Sequence, residues 1–281
     1  MTTISGLRYL PTILIISENM IKYFNYPLRK IMVFLCCLLM SFQCFSQMKD
    51  NVDLESILNN AIQKAYPACV GVCDLNLPQK EGTSAQFSGV VVSPDGYILT
   101  AAHSIISGKK YKVFFPEGKE CVALALGRIY DEKKTNLPDV GMMKIIDKGK
   151  WQFVEMGYSE SLAELEPCIS LSYPRRLNQA SPSLKLGQVT QVENVSGFIG
   201  STFEMEVGDA GGALFDYHGR VIALHSAVDT TAKVNRNLEI PISLYRKFWT
   251  ALKQEKTYHD FPEQSDIVGK DPLISVSRKK Q

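Results

Sequence analysis

The sequence lacks an apolar run long enough to cross a membrane. Its longest such run, Ile31–Met40, is about half of the ~20 residues that a transmembrane helix needs. A large excess of charge of one sign is also missing, since 31 basic and 29 acidic residues leave a formal net charge of +2. No basic patch argues for nucleic acid, so no nucleic-acid partner is expected.

The sequence has few cysteines, and their spacing does not resemble that of a zinc site. Four remain outside the first 46 residues: Cys69, Cys73, Cys121 and Cys168. Cys69 and Cys73 lie about 13 Å apart along one strand at about 3.3 Å per residue, which exceeds the reach of a disulfide. Cys121 and Cys168 lie among apolar strand residues, which favours buried free thiols. The sequence leaves the pairing open, and it predicts neither a metal site nor a cofactor.

Residues 1–46 have the layout of a secretory signal peptide. Arg29 and Lys30 precede the apolar run, and the small-x-small pattern 44–46 follows it. Met20 offers a second, conventional start, so we interpret residues 1–19 as lying upstream of the working start. Two alternatives stay open, a retained membrane anchor and lipid attachment at Cys44, although residues 41–43 match a lipobox poorly.

Removal of residues 1–46 would leave 27 basic and 28 acidic residues, a net charge of −1. The net positive charge of the whole chain therefore belongs to the leader. With the leader removed, we expect a periplasmic or secreted protein that has no stable membrane span.

The rest of the sequence predicts one all-β domain, residues 47–255, with short flanking helices. Apolar spacing predicts a helix at Val52–Tyr66 that ends at Pro67, and a second at Ile240–Glu255. Between them, short strands recur at roughly ten-residue spacing, which is typical of a sandwich or barrel. Their predicted ranges are 68–74, 86–93, 97–101, 111–115, 121–127, 140–146, 168–173, 185–192, 202–207, 212–215 and 221–227. Residues 256–281 are polar and unpatterned, which predicts a loose tail.

Three local patterns stand in a chemically informative order. His103 directly follows an apolar strand, and Asp139 heads another, where a carboxylate needs a polar partner. Further on, the run 208–212 reads Gly-Asp-Ala-Gly-Gly, with alanine at the position where such turns carry serine. The order histidine, aspartate, nucleophile is that of chymotrypsin-type proteases and differs from the orders of subtilisin and the α/β-hydrolases.

The chain from about Ala65 to Leu252 resembles trypsin/chymotrypsin-fold serine proteases, and within them the HtrA-type peptidases. The segments that carry the resemblance are FSGVVVSPDGYILTAAH, DVGMMKI, LSYP, GDAGGALF with GRVIALHSA, and IPISLYRKFW. The resemblance implies a chymotrypsin-like double β-barrel with the site in the crevice between the barrels. It implies roles for His103 and Asp139 as base and orienting acid, for Ala210 as the nucleophile position, and for the N–H groups of Gly208 and Ala210 as the oxyanion hole.

The resemblance also implies how a substrate would be held. The strand 221–227 would line the pocket for the side chain preceding the scissile bond, with His225 and Ser226 as substrate-binding residues. Glutamyl endopeptidases of this fold look similar at His225, so we expect a preference for Glu or Gln there. The alternative interpretation makes His225 a structural strand histidine. The expected partner is an extended or unfolded peptide, and the oligomeric state and the ion partner of Asp209 stay open.

Ala210 leaves three interpretations of function open. The chain is a serine endopeptidase homologue that is inactive as written, a natural pseudoprotease that binds peptides, or an engineered serine-to-alanine form of an active endopeptidase. No Ile-Val-Gly-Gly start follows an activation site, so activation by a new N-terminus is not expected.

We predict that export removes the leader near Ser46, so that the mature chain begins at about Gln47. N-terminal sequencing of exported material measures the cleavage point. A chain that keeps its leader in the membrane fraction would contradict this prediction and favour the anchor.

Overall fold

The computed structural model describes Leu35 and residues 54–75, 86–134, 137–175, 181–192, 197–229 and 236–264. The chain divides into two units, Met1–Ser56 and Ile57–Gln281. Of the first unit, Leu35 and residues 54–56 are described, all helical, and the predicted signal peptide otherwise lies outside the described residues. In the described part of the chain, no helix combines the length and apolar character that crossing a membrane would require.

The second unit contains two closed antiparallel barrels, as the resemblance implied. The first is formed by β1 Cys69–Asp74, β2 Phe87–Val91, β3 Tyr97–Ala101, β4 Lys110–Phe114, β5 Glu120–Ile129 and β6 Val140–Ile145. Its strands follow the order β5-β4-β1-β2-β3-β6, and pairing of β5 with β6 closes it. Along β5, buried residues alternate with exposed or half-buried ones, which is the period of two that a barrel wall requires.

The second barrel is formed by β7 Pro167–Ser172, β8 Ser183–Gln191, β9 Gly200–Ser201, β10 Ala213–Phe215, β11 Val221–Asp229 and β12 Arg236–Pro241. Its order is β12-β11-β10-β7-β8-β9. A bridge between Ile199 and Glu239 brings the first and last strands together, with N···O distances of 2.9 and 2.8 Å.

The largest apolar core lies between the barrels. It contains Leu99 and Val140 from the first barrel, and Leu171 and Leu224 from the second. Tyr245, fully buried in the closing helix, also spans the junction, because its hydroxyl donates to the Thr100 carbonyl oxygen at 2.7 Å. Each barrel has its own smaller core as well. The crevice between the barrels therefore rests on a shared, closely packed floor.

The structure corrects several predicted elements. The first helix, α1, covers residues 54–65. The closing helix is two short ones, α2 Ile242–Lys247 and α3 Trp249–Leu252, separated at Phe248. The segment 202–207 is a loop, in which the Glu204 carbonyl oxygen accepts from Lys185 Nζ and the Glu206 N–H donates to the Asp209 carboxylate.

Residues beyond 255 are part of the fold up to the end of the described range. A short strand, β13 Thr257–Tyr258, pairs in parallel with β5, and the Tyr258 hydroxyl donates to the Ala251 carbonyl oxygen at 3.2 Å. The structure thus places a short strand at Thr257–Tyr258, inside the segment predicted as a loose tail, and residues 265–281 lie outside the described residues. All four cysteines of the domain are free thiols, and burial raises the pKa of Cys121 and of Cys168 to about 12.

Candidate active site

A cleft of about 710 Å³ lies where the two barrels meet. The first barrel contributes His103, Ser104 and Ile106 to its lining, and the second contributes Val207, Gly208, Ala210 and Ser226. Asp139 is buried behind the histidine, with 7% of its surface exposed. The structure thus brings together every predicted site residue except His225.

Asp139 fixes the orientation of His103. Strand β3 ends at Ala101, and the 3-10 turn Ala102–Ser104 projects the imidazole into the cleft. Asp139 Oδ1 accepts the His103 backbone N–H at 2.8 Å, and Asp139 Oδ2 lies 2.7 Å from His103 Nδ1. Since Nδ1 is bound to the carboxylate, the proton sits on that nitrogen, and Nε2 is the one left for the cleft.

A residue of the second barrel also hydrogen-bonds to Asp139. The Ser226 hydroxyl, on β11, donates to Asp139 Oδ2 at 2.6 Å. The carboxylate therefore accepts three hydrogen bonds, one of them from across the cleft. Ser226 was predicted to bind substrate, and the structure gives its hydroxyl this orienting contact while the residue also lines the cleft.

Two opposing effects act on the imidazole. Burial lowers the pKa of His103, but the hydrogen bond that Nδ1–H donates to Asp139 and the negative charge of Asp139 together outweigh burial, so the pKa of His103 is raised above its usual value. The folded state therefore favours an imidazolium with its free Nε2–H directed away from Asp139.

The loop 208–212 holds two N–H groups in fixed directions. The Val207 carbonyl oxygen accepts from Arg175 N at 2.7 Å, and the Asp209 carbonyl oxygen accepts from Gly212 N at 2.7 Å. In a planar trans peptide the N–H points opposite to the carbonyl. The N–H groups of Gly208 and Ala210 therefore point away from these partners, and within the described part of the chain neither meets an acceptor.

Glycine is required at two positions of this loop. Gly208 has φ 103° and Gly211 has φ 80°, conformations that favour glycine. A Cβ on Gly211 would lie 2.2 Å from both the Ser88 carbonyl oxygen and Thr100 Oγ1. The loop thus lies directly against the first barrel, where Ser88 N donates to the Ala210 carbonyl oxygen at 2.8 Å.

Asp209 has a cationic partner that sequence reasoning missed. Lys185, on β8, places Nζ 3.1 Å from Asp209 Oδ2 and 2.7 Å from the Glu204 carbonyl oxygen. The Ser172 hydroxyl and the Glu206 N–H each bind the carboxylate at 2.8 Å. Asp209 is only 1% exposed, so its charge needs these partners. A lysine side chain, rather than a new N-terminus, thus supplies the positive charge that pairs with Asp209.

His225 does not contact the cleft as predicted. The residue is 1% exposed, with Nδ1 2.7 Å from Glu239 Oε2 and Nε2 2.7 Å from the Ser170 hydroxyl. An imidazole with both nitrogens bound has no donor left for a peptide side chain. The geometry supports the alternative, in which His225 is a structural histidine inside the second barrel.

Comparisons with known proteins agree with this geometry. Residues 87–224 match the model of the trypsin-like peptidase domain. "Serine protease HTRA1" of Xenopus tropicalis is 28% identical over 203 residues, 69% of this chain and 42% of the relative. "Probable periplasmic serine endoprotease DegP-like" of Bartonella henselae is 27% identical over 50% of this chain and 27% of its own. The chain thus spans less than half the length of these relatives.

Solved structures show the same fold. "HtrA-type protease AlgW with tripeptide" superposes with a TM-score of 0.55 at 20% identity, covering 70% of this chain and 64% of the other. The serine endoprotease from Yersinia pestis gives 0.54 at 22% identity, covering 69% and 66%.

We predict that the His103 imidazole titrates above the ordinary histidine value of about 6.5, and that Asp139→Asn lowers its pKa by removing the negative charge and one of the two acceptor oxygens. The stability from this pair is complete below the ordinary pKa and is lost as pH rises through the raised folded-state value. NMR titration of the ring protons measures both variants. Asp95→Asn, an exposed carboxylate at the far end of β3, is the control, and equal shifts in both variants would contradict the assignment.

We predict that Lys185→Met lowers the free energy of unfolding by about 2 to 3 kcal/mol, because it leaves the buried Asp209 charge without its cation. Lys112→Met is the matched control, since it breaks a surface pair with the half-exposed Glu120 and should cost less than about 1 kcal/mol. Urea unfolding measures both. Equal losses would show that Lys185 contributes no more than a surface ion pair.

Proposed function

Because this chain carries a trypsin-like peptidase domain of the HtrA type, we propose that it is an exported protein that binds extended peptides in its active-site cleft without hydrolysing them. The observation that carries this proposal is Ala210. It stands at the nucleophile position and lines the same cleft as His103, whose Nδ1 is hydrogen-bonded to Asp139.

Ala210 removes the attacking oxygen and leaves the backbone around it in place. Loss of the nucleophile from such a triad costs about 10⁶ in turnover. Two nearby hydroxyls are already in use: Ser226 donates to Asp139, and Ser88 donates to the Gly208 carbonyl oxygen at 2.7 Å. Neither supports replacement of the missing serine.

The cleft offers an edge for an added strand. Strand β10 pairs with β11 only as far as Leu224, whereas β12 follows β11 on its other side up to Asp229. Ala227 and Val228 therefore pair with β12 on one side and line the cleft, and no described strand pairs with them on the side of β10. A peptide that adds to this edge would gain main-chain hydrogen bonds. Exposed Ile106 and Val207 on opposite sides of the cleft favour apolar contacts with it.

The names of relatives and neighbours support both parts of the proposal. Several relatives are named periplasmic endoproteases, which agrees with the predicted leader. A structural neighbour is described with a tripeptide, which agrees with a peptide as ligand.

A second candidate function is serine endopeptidase, in a form that carries serine at position 210. The intact pair of His103 and Asp139 and the two directed N–H groups favour it, since peptide binding alone does not require a raised histidine pKa. The two candidates differ by one oxygen atom.

We predict that the protein with Ala210 does not cleave fluorescein-labelled casein, and that Ala210→Ser creates both cleavage and labelling by a fluorophosphonate. The expected gain reaches up to about 10⁶-fold for a complete triad. The double variant Ala210→Ser with His103→Ala is the control and should do neither. Cleavage by the Ala210 form would reject the pseudoprotease. An Ala210→Ser variant that neither cleaves casein nor reacts with the fluorophosphonate would show that the site is incomplete beyond the missing hydroxyl.

A further inference from the structure

We propose that the cleft is a receptor for the C-terminal carboxylate of a peptide, held by the His103 imidazole and the N–H groups of Gly208 and Ala210. This rests on the proposed peptide-binding function and deepens it, because it specifies a chain that ends in the cleft rather than one that passes through it.

The first observation is that three donors face the cleft and no described acceptor meets them. His103 Nδ1 is bound to Asp139, so Nε2 is directed away from it, and within the described residues no partner binds that nitrogen. The carbonyl bonds at Val207 and Asp209 turn the N–H groups of Gly208 and Ala210 away from the loop. All three residues line the same cleft.

The second observation is the alanine itself. A serine hydroxyl at position 210 would both form a hydrogen bond with His103 Nε2 and occupy the space between the histidine and the loop. The Ala210 methyl group can neither accept nor donate a hydrogen bond. The site therefore has unmatched donors and additional room, and a ligand with two acceptor oxygens complements it.

A carboxylate has the required chemistry. One oxygen would accept from the two N–H groups of the loop, and the other from His103 Nε2–H, in a charge-assisted hydrogen bond. An uncharged carboxamide supplies only one acceptor oxygen and places an N–H group against a donor. The cleft should therefore distinguish an acid from its amide.

The charges around His103 agree with an anion at this place. Asp139 on one side raises the pKa of the imidazole, and the Arg128 guanidinium donates to the Ala102 and Ile105 carbonyl oxygens at the two ends of the same turn. Tyr130 lies with its ring 6.5 Å away, and its own pKa is raised. The other charged groups of the cleft lining are Asp74, paired with Lys109, and Glu206.

The protonation of His103 defines the pH range in which the site prefers a carboxylate. Since the pKa of His103 is raised, the imidazolium persists up to its folded-state value and is lost above it. Preference for the acid should be strongest near pH 6 and should weaken as pH rises through that value.

The test uses fluorescein-labelled decapeptides of one fixed sequence. They differ only in the C-terminal group, which is either a free carboxylate or a carboxamide. Binding to the Ala210 protein is measured by fluorescence polarisation at pH 6 and pH 9. We expect the acids to bind about 10- to 100-fold tighter at pH 6 and the ratio to shrink at pH 9. Sodium acetate, added as competitor, distinguishes a site for any carboxylate from one that needs the attached peptide.

Two variants assign the effect. His103→Gln should abolish the acid preference, whereas His218→Gln, which changes an exposed histidine of the β10–β11 turn, should leave it unchanged. Acids that bind no tighter than amides would overturn the carboxylate site and leave peptide binding standing. Failure of acids and amides alike to bind would overturn the proposed function together with it.

Discussion

The geometry of the cleft depends on the buried carboxylate of Asp209. It joins strand β7 through Ser172, strand β8 through Lys185 and its own loop through the Glu206 N–H. A charge this deeply buried is tolerated only when it is bonded on several sides. The loop conformation that satisfies it is also the one that directs the Gly208 and Ala210 N–H groups. The arrangement of the donors therefore follows from the solvation of an anion that does not face the cleft.

The first barrel repeats this principle with Asp139. Its oxygens accept from the backbone and ring of His103 and from the Ser226 hydroxyl of the other barrel. Each half of the site is thus fixed by a buried anion and its donors, and neither anion takes a hydrogen bond from position 210. This is why a methyl group there is compatible with an otherwise ordered site.

Strand spacing predicted an all-β sandwich or barrel, while the double barrel and the grouping of His103, Asp139 and the loop 208–212 followed from the family resemblance that these motifs carry. Lys185 was not predicted, since no pattern near Asp209 points to a residue on another strand. One signal was available, because Lys185 and the buried Val189 are four residues apart on β8 and therefore lie on the same face of the strand. The burial of His225 depends on Glu239, which lies in a strand that the sequence analysis did not predict. Contacts between segments distant in the chain account for both misses.

Neighbouring positions in the loop have opposite freedom to vary. Gly211 has no space for a Cβ against the first barrel, and its backbone angle disfavours one as well. Ala210 lines the cleft, is only partly buried and packs against the edge of the apolar core. A change at 211 would be removed as a folding defect, whereas a change at 210 alters chemistry while stability stays nearly constant. The position that decides the chemistry of the loop is therefore separate from the position on which its packing depends.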